Sequence, residues 1–197
     1  MLIALYVAAS YLAGSLSAAI LVCRALGKGD PRTVGSGNPG ATNVLRAFGK
    51  GPAAATLAGD LLKGFVPVAL GVTLNLPPAA IAGAGLAAFL GHLFPLYFGF
   101  QGGKGVATLI GVILGFDWRL GVAFVGTWLA IAMLTRYSSL AALTAAALTP
   151  AFALGMKLPL AYAVALVGMV AAVFWRHRDN IRRLRAGTEG RIGARRA

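Results

Sequence analysis

The 197-residue chain is short of everything that makes a protein surface wet. Charged residues are 12% of it, about half the share of roughly 25% in soluble domains. Acidic residues are scarcer still, five against 18 Lys plus Arg, for a net charge of +13. A single cysteine excludes an internal disulfide, and one Cys with two His is too few for the usual zinc spacings. Cys23 lies among Leu21, Val22 and Ala25, where a small packing residue is expected. What abounds is apolar: 58% hydrophobic residues, and 27 Gly besides. That composition excludes an ordinary soluble domain and, equally, a disordered chain. A nucleic-acid binder is disfavoured, because such proteins carry their basic surface on a soluble fold. An apolar chain with a basic excess is expected to sit in a membrane and face anionic lipid or an anionic substrate.

Stretches of about 20 apolar residues read as spanning helices. Leu2–Val22, Pro52–Leu74, Pro78–Phe98 and Leu140–Met156 qualify, and Pro159–Trp175 is slightly short but wholly apolar. Val106–Thr135 is long for one helix and short for two, and Asp117 and Arg119 interrupt it. The positive-inside rule decides this case. The segment 24–50 holds Arg24, Lys28, Arg32, Arg46 and Lys50, and the tail from Arg176 holds eight arginines, so both are expected in the cytoplasm. An even number of crossings must then separate them, which predicts two short helices turning at Asp117–Arg119. The expected fold is an all-α membrane bundle of about seven spans in one domain, residues 1–197, with the N-terminus outside and the C-terminus cytoplasmic. Fifteen of the 18 basic residues then face one side. The first span is expected to be retained, since no basic residue precedes it and five follow.

Three polar clusters fall on that same side. The first is Gly35-Ser36-Gly37-Asn38-Pro39-Gly40-Ala41-Thr42-Asn43, followed by Arg46. Its glycines spell a dinucleotide fingerprint, but no strand precedes them. Two readings stand: an anion nest of backbone N–H groups with Ser36, Thr42, Asn43 and Arg46 as further donors, or a turn-rich loop whose arginine is a topology signal. The second runs from Gly91-His92 to Gln101-Gly102-Gly103-Lys104-Gly105. It is not a P-loop, since Gly105 stands where Ser or Thr is required. Gly-Gly-Lys-Gly opening a helix still offers free N–H groups and a point charge. His92 reads equally as a packing histidine bonded to backbone. The third is Trp175-Arg176-His177-Arg178-Asp179-Asn180-Ile181, continuing to Glu189. On a helix, His177, Asn180, Ile181 and Leu184 share one face and Arg178, Arg182 and Arg185 another. Burying the apolar face turns His177 and Asn180 inward and leaves the arginines for anionic headgroups; the plainer reading is a basic stop-transfer tail. Asp60 and Lys63, three apart within a span, are a site candidate and equally a structural ion pair.

These clusters, GSGNPGATNVLR at 35–46, GHLFPLYFGFQGGKGVAT at 91–108 and HRDNIRRLRAGTE at 177–189, resemble the PlsY family of bacterial membrane glycerol-3-phosphate acyltransferases. The resemblance covers the whole chain. It implies acyl transfer from a long-chain acyl phosphate to the sn-1 hydroxyl of glycerol 3-phosphate, with no cofactor and no metal, in the bacterial inner membrane with the site on the cytoplasmic face. Ser36, Arg46, His177 and Asn180 would be catalytic. Gly37, Asn38, Thr42, Asn43, His92, Gly102, Gly103 and Lys104 would bind substrate, and Glu189 would be structural. The implied partners are the two substrates and membrane lipids, with the acyl-phosphate-making enzyme and the next acyltransferase as pathway neighbours, and no nucleic acid. Two candidates stand for the base, His177 and the substrate's own phosphate. Positioning by His177 is favoured, because Arg176 and Arg178 would lower its basicity. The rival class is a small transporter or flippase for an anionic solute. It predicts mid-bilayer sites and an internal repeat, whereas the motifs gather at one face and no repeat is visible.

Overall fold

Each apolar run becomes a helix, and glycine, proline or a charge ends it. The computed structural model describes residues 1–193; Arg195 and Arg196 of the basic tail lie outside the described residues. The helices are α1 Leu2–Gly14, α2 Ala18–Ala25, α3 Ala41–Phe48, α4 Lys50–Thr73, α5 Pro78–Leu93, α6 Val106–Phe116, α7 Trp118–Thr135, α8 Ser138–Gly155, α9 Leu160–Arg176 and α10 Arg178–Arg185, with one 3-10 turn at Leu96–Phe98. No strand forms among the described residues.

Three expectations change. The first span is not one straight helix: α1 and α2 meet at a bend of 47°. Gly14, Ser15 and Ser17 supply poor helix formers there, and Ser15 Oγ donates to the Tyr11 carbonyl at 2.9 Å, a local bond that competes with helix continuation. The second change is α3, a short amphipathic helix inside what reads as a loop. It carries Thr42, Asn43 and Arg46 and is cut from α4 by Gly49 in a left-handed conformation. The third concerns Val106–Thr135, which does divide at Asp117, but unequally. Asp117 caps α7 by accepting from the Arg119 N–H at 2.8 Å. Helix α7 has 18 residues, enough for about 27 Å. Helix α6 has only 11, about 16 Å, half the hydrocarbon thickness.

Successive helices reverse direction, so the ends of α2, α5, α7 and α9 and the starts of α4, α6 and α8 meet at one end of the bundle. That end gathers all three polar clusters. Behind it, Phe89, Leu93, Leu109, Val112, Ile113, Leu120, Phe124, Leu166 and Met169 form the core. Without a hydrophobic drive between helices in lipid, close backbone approach supplies the contact. Helices α4 and α6 show it: a Cβ on Gly64 would meet the Thr108 carbonyl, and one on Gly111 the Leu61 carbonyl. This seam fixes the short helix, and with it the segment Gly102–Gly105.

Candidate active site

Gly102 and Gly103 lie buried against the end of α5. The Gly103 N–H donates to the His92 carbonyl at 3.2 Å. From the opposite side, the half-buried Arg176 guanidinium takes both loop carbonyls: Nε donates to Gly103 at 2.9 Å, and Nη2 donates to Gly102. Because N–H and C=O of one peptide point opposite ways, this clamp turns the Lys104 N–H away from Arg176. The first helical bond of α6 runs from Leu109 N–H to the Gly105 carbonyl at 2.8 Å, so the N–H groups of Val106 to Thr108 precede any intrahelical acceptor. The donors expected at Gly-Gly-Lys-Gly are thus only partly free. The Gly103 donor is spent on the fold, and the available donors begin at Lys104.

Lys104 joins this loop to the third cluster. Its Nζ donates to Asn180 Oδ1. Asn180 Nδ2 donates to Glu189 Oε1 at 2.6 Å, and the same oxygen accepts from Ser139 Oγ at 2.7 Å. Arg183 Nε donates to Glu189 Oε2 at 2.7 Å. Burial pulls Lys104 down to about 8, with Arg183 adding to the depression and Glu189 opposing it. Burial pushes Glu189 upward, but its bonds from Ser139, Asn180 and Arg183 prevail and hold it below the usual carboxylate range. His177, at the 59° bend between α9 and α10, is buried with Asn180, and Ile181 and Leu184 pack on the core. The inward face expected for the third cluster is therefore formed. Burial lowers His177 to about 4, the Val173 carbonyl opposes this, and Lys104 and Arg176 add to it. The direction matches expectation, but burial is the main cause, and exposed Arg178 instead lies over the Trp175 ring at 5.3 Å. His177 Nδ1 is 2.8 Å from the Val173 carbonyl, which assigns the proton to Nδ1 and leaves Nε2 as an acceptor.

In the first loop, most of the donors that the nest reading requires are used by the loop itself. Asn43 is buried, and its Nδ2 donates to the carbonyls of Pro31 and Val34 at 2.8 and 3.0 Å. Its Oδ1 accepts the Ser36 N–H at 2.9 Å. The Gly37 and Gly40 N–H groups bond to the carbonyls of Val34 and Asn38. Asn43 and these three N–H groups therefore hold the loop's own shape. What faces outward are the exposed Ser36 and Thr42 hydroxyls and Arg46, with Gly37 exposed and Asn38 half-buried. Arg32 ties this loop to the second cluster by donating to the Phe98 carbonyl at 3.1 Å. Arg46 reaches the tail: a Cβ on Gly190 would lie 3.9 Å from its Nη2. Lys104 and Asn180 are thus one hydrogen-bonded network with the glycine loop, with His177 buried beside it but bonded only to the Val173 carbonyl, while Ser36, Thr42 and Arg46 form an exposed rim with no side-chain bond to that network among the described residues.

Two residues escaped the sequence reading. Arg176 looks like any other arginine after a span, and only its half-burial separates it from Arg178. Ser139 stands 50 residues from its partner Glu189, a pairing with no local signal. His92 also differs from the packing histidine bonded to backbone: its ring nitrogen Nδ1 lies 3.4 Å from Asp60 Oδ1, and Asp60 pairs with Lys63 at 2.9 Å.

Comparison with known proteins adds independent findings. Residues 4–187 match the family model described as glycerol-3-phosphate acyltransferase. A glycerol-3-phosphate acyltransferase of Thioalkalivibrio sulfidiphilus is 58% identical over 93% of this chain and 91% of its own. One from Halorhodospira halophila is 55% identical over 98% of both. Among solved structures, PlsY (YgiH), an integral membrane glycerol 3-phosphate acyltransferase crystallised in its glycerol 3-phosphate form, superimposes with a TM-score of 0.93 at 37% identity, covering 98% of this chain and 96% of that one. Its lysophosphatidic acid form gives a TM-score of 0.92. A shared family model, close relatives along nearly the whole length and the same membrane helix bundle agree: this chain belongs to the glycerol-3-phosphate acyltransferase family.

Proposed function

We propose that this chain transfers a long-chain acyl group from acyl phosphate to the sn-1 hydroxyl of glycerol 3-phosphate, at the cytoplasmic face of a bacterial inner membrane. The hydroxyl oxygen bonds to the acyl carbonyl carbon, the carbon–oxygen bond to phosphate breaks, and lysophosphatidate and inorganic phosphate leave. The observation that carries this is the joining of Gly102–Lys104 to Asn180 and Glu189 at the charged end of the bundle. It supplies a half-buried cation and free N–H groups beside a lipid-held helix bundle, for one soluble and one acylated phosphate.

Charge stabilisation and alignment suffice for a mixed anhydride, whose phosphate is already a good leaving group. Lys104 and the N–H groups opening α6 bind one phosphate. Ser36, Thr42 and Arg46 at the rim meet the other. The chain has no His-x-x-x-x-Asp arrangement, the motif of acyl-CoA-dependent acyltransferases, which is consistent with acyl phosphate as the donor. His177 at about 4 is a weak base at neutral pH, and its Nε2 orients the attacking hydroxyl, whose proton passes to phosphate.

The test is to incubate the purified protein with labelled glycerol 3-phosphate and either acyl phosphate or acyl-CoA. Lysophosphatidate is expected from acyl phosphate, and product from acyl-CoA alone would overturn the donor assignment. His177→Gln, whose amide can still meet the hydroxyl, is expected to keep about a tenth of wild-type kcat. A loss beyond about a thousandfold, the scale of a true general base, would contradict the positioning role.

A further inference from the structure

Asp60 is a buried acid that the proposed chemistry does not use. It lies in α4, only 2% exposed, and its Oδ1 meets two groups, Lys63 Nζ at 2.9 Å and His92 Nδ1 at 3.4 Å. Each of these leads elsewhere. Lys63 Nζ also donates to the Leu16 carbonyl at 2.8 Å, at the break between α1 and α2. His92 leads to the glycine loop twice: its carbonyl accepts the Gly103 N–H, and its ring packs so closely under Gly103 that a Cβ there would collide with Nε2. Arg176 holds the loop from the other side. The loop is thus laid between a guanidinium and an imidazole, and the imidazole lies against a carboxylate on a third helix, at 3.4 Å and without a hydrogen bond between them. Burying a carboxylate is costly unless it is paired. Lys63 alone would satisfy the charge, so packing leaves the contact with His92 to be explained.

We propose that Asp60 is a positioning residue for the Gly102–Lys104 loop: through His92 it sets the surface on which the loop rests, and so the affinity of the loop for the phosphate of glycerol 3-phosphate. This rests on the assignment of that loop to glycerol 3-phosphate. Groups that hold a binding group in place, without touching substrate, act on ground-state binding more than on the chemical step. The device resembles the orientation of a ligand-bearing histidine by a second carboxylate.

The test is a KM-against-kcat comparison on Asp60→Asn and on the double variant Asp60→Asn/Lys63→Met. The double variant removes both members of the ion pair, so no uncompensated buried charge is left, and it decides the matter where the single variant fails to fold. In both, KM for glycerol 3-phosphate is expected to rise about tenfold, with KM for acyl phosphate within about twofold and kcat within about threefold of wild type. A wild-type KM for glycerol 3-phosphate in the folded double variant overturns the proposal. So does an equal rise in both KM values, which would mark a general loss of structure. A wild-type enzyme that makes no lysophosphatidate from glycerol 3-phosphate overturns the loop assignment itself, a separate result seen before any variant is made.

Discussion

Lys104→Met is expected to lower kcat/KM for glycerol 3-phosphate by about a thousandfold, with the protein still folded. Methionine matches the lysine stem in length, so packing changes little. What disappears is the half-buried ammonium beside the free N–H groups of α6, and with it the donor to Asn180 Oδ1. Asn180 then stays on Glu189 but loses its link to the loop. The same lysine gives a signature that can be read without mutation. Held at about 8 by burial, it is charged at neutral pH and loses its proton as pH rises through that value. The cation is the binding form, so kcat/KM should fall on the alkaline side with an apparent pKa of about 8, as kcat/KM reports the free enzyme. A bound phosphate favours the charged lysine, so the matching limb in kcat should lie higher. A kcat/KM profile flat through that region would contradict the assignment, as would a Lys104→Met enzyme within about tenfold of wild type.

Gly103→Ala should cost about a hundredfold in kcat/KM, chiefly through KM for glycerol 3-phosphate. The added methyl would meet the His92 ring, which is buried and faces Asp60. The loop has no easy way to retreat, because Arg176 grips both of its carbonyls. Something must shift, and overpacking of this kind also costs about 1–3 kcal/mol of stability. Gly168→Ala is the matched control: it lies in α9, with nothing within 4 Å of the added methyl, so its activity should be unchanged. Equal kinetics for the two variants would show that Gly103 is not tightly packed.

Several of these elements were legible in the chain, for a physical reason that applies to each. The spans at α4, α5, α8 and α9 were readable because hydrocarbon demands long apolar runs. The turn at Asp117 was readable because charge parity required it. The inward face of α10 followed from helical spacing, which places His177 and Asn180 beside Ile181 and Leu184. Features set by distant neighbours were not legible. Helix α3 is too short and mixed in composition to stand out between glycines. Asn43 reads as a donor to ligand, yet its hydrogen bonds go to Pro31, Val34 and Ser36. The His92–Asp60 contact joins α5 to α4, and nothing in the spacing of either helix announces it. The clamp by Arg176 is hidden by the arginines around it.

The shortness of α6 bears on how a water-soluble molecule and a lipid meet. Helix α7 starts at the same turn and is seven residues longer than α6, about 10 Å along its axis. An acyl donor reacting at the level of α7's end would have to draw part of its tail out of oil, at about 0.8 kcal/mol for each methylene exposed. In the proposed reaction, a recessed loop would let the acyl tail keep its depth while the polar substrate descends to it. In that reaction the half-length helix would shift the cost of the encounter from the hydrocarbon chain to a small, highly soluble anion.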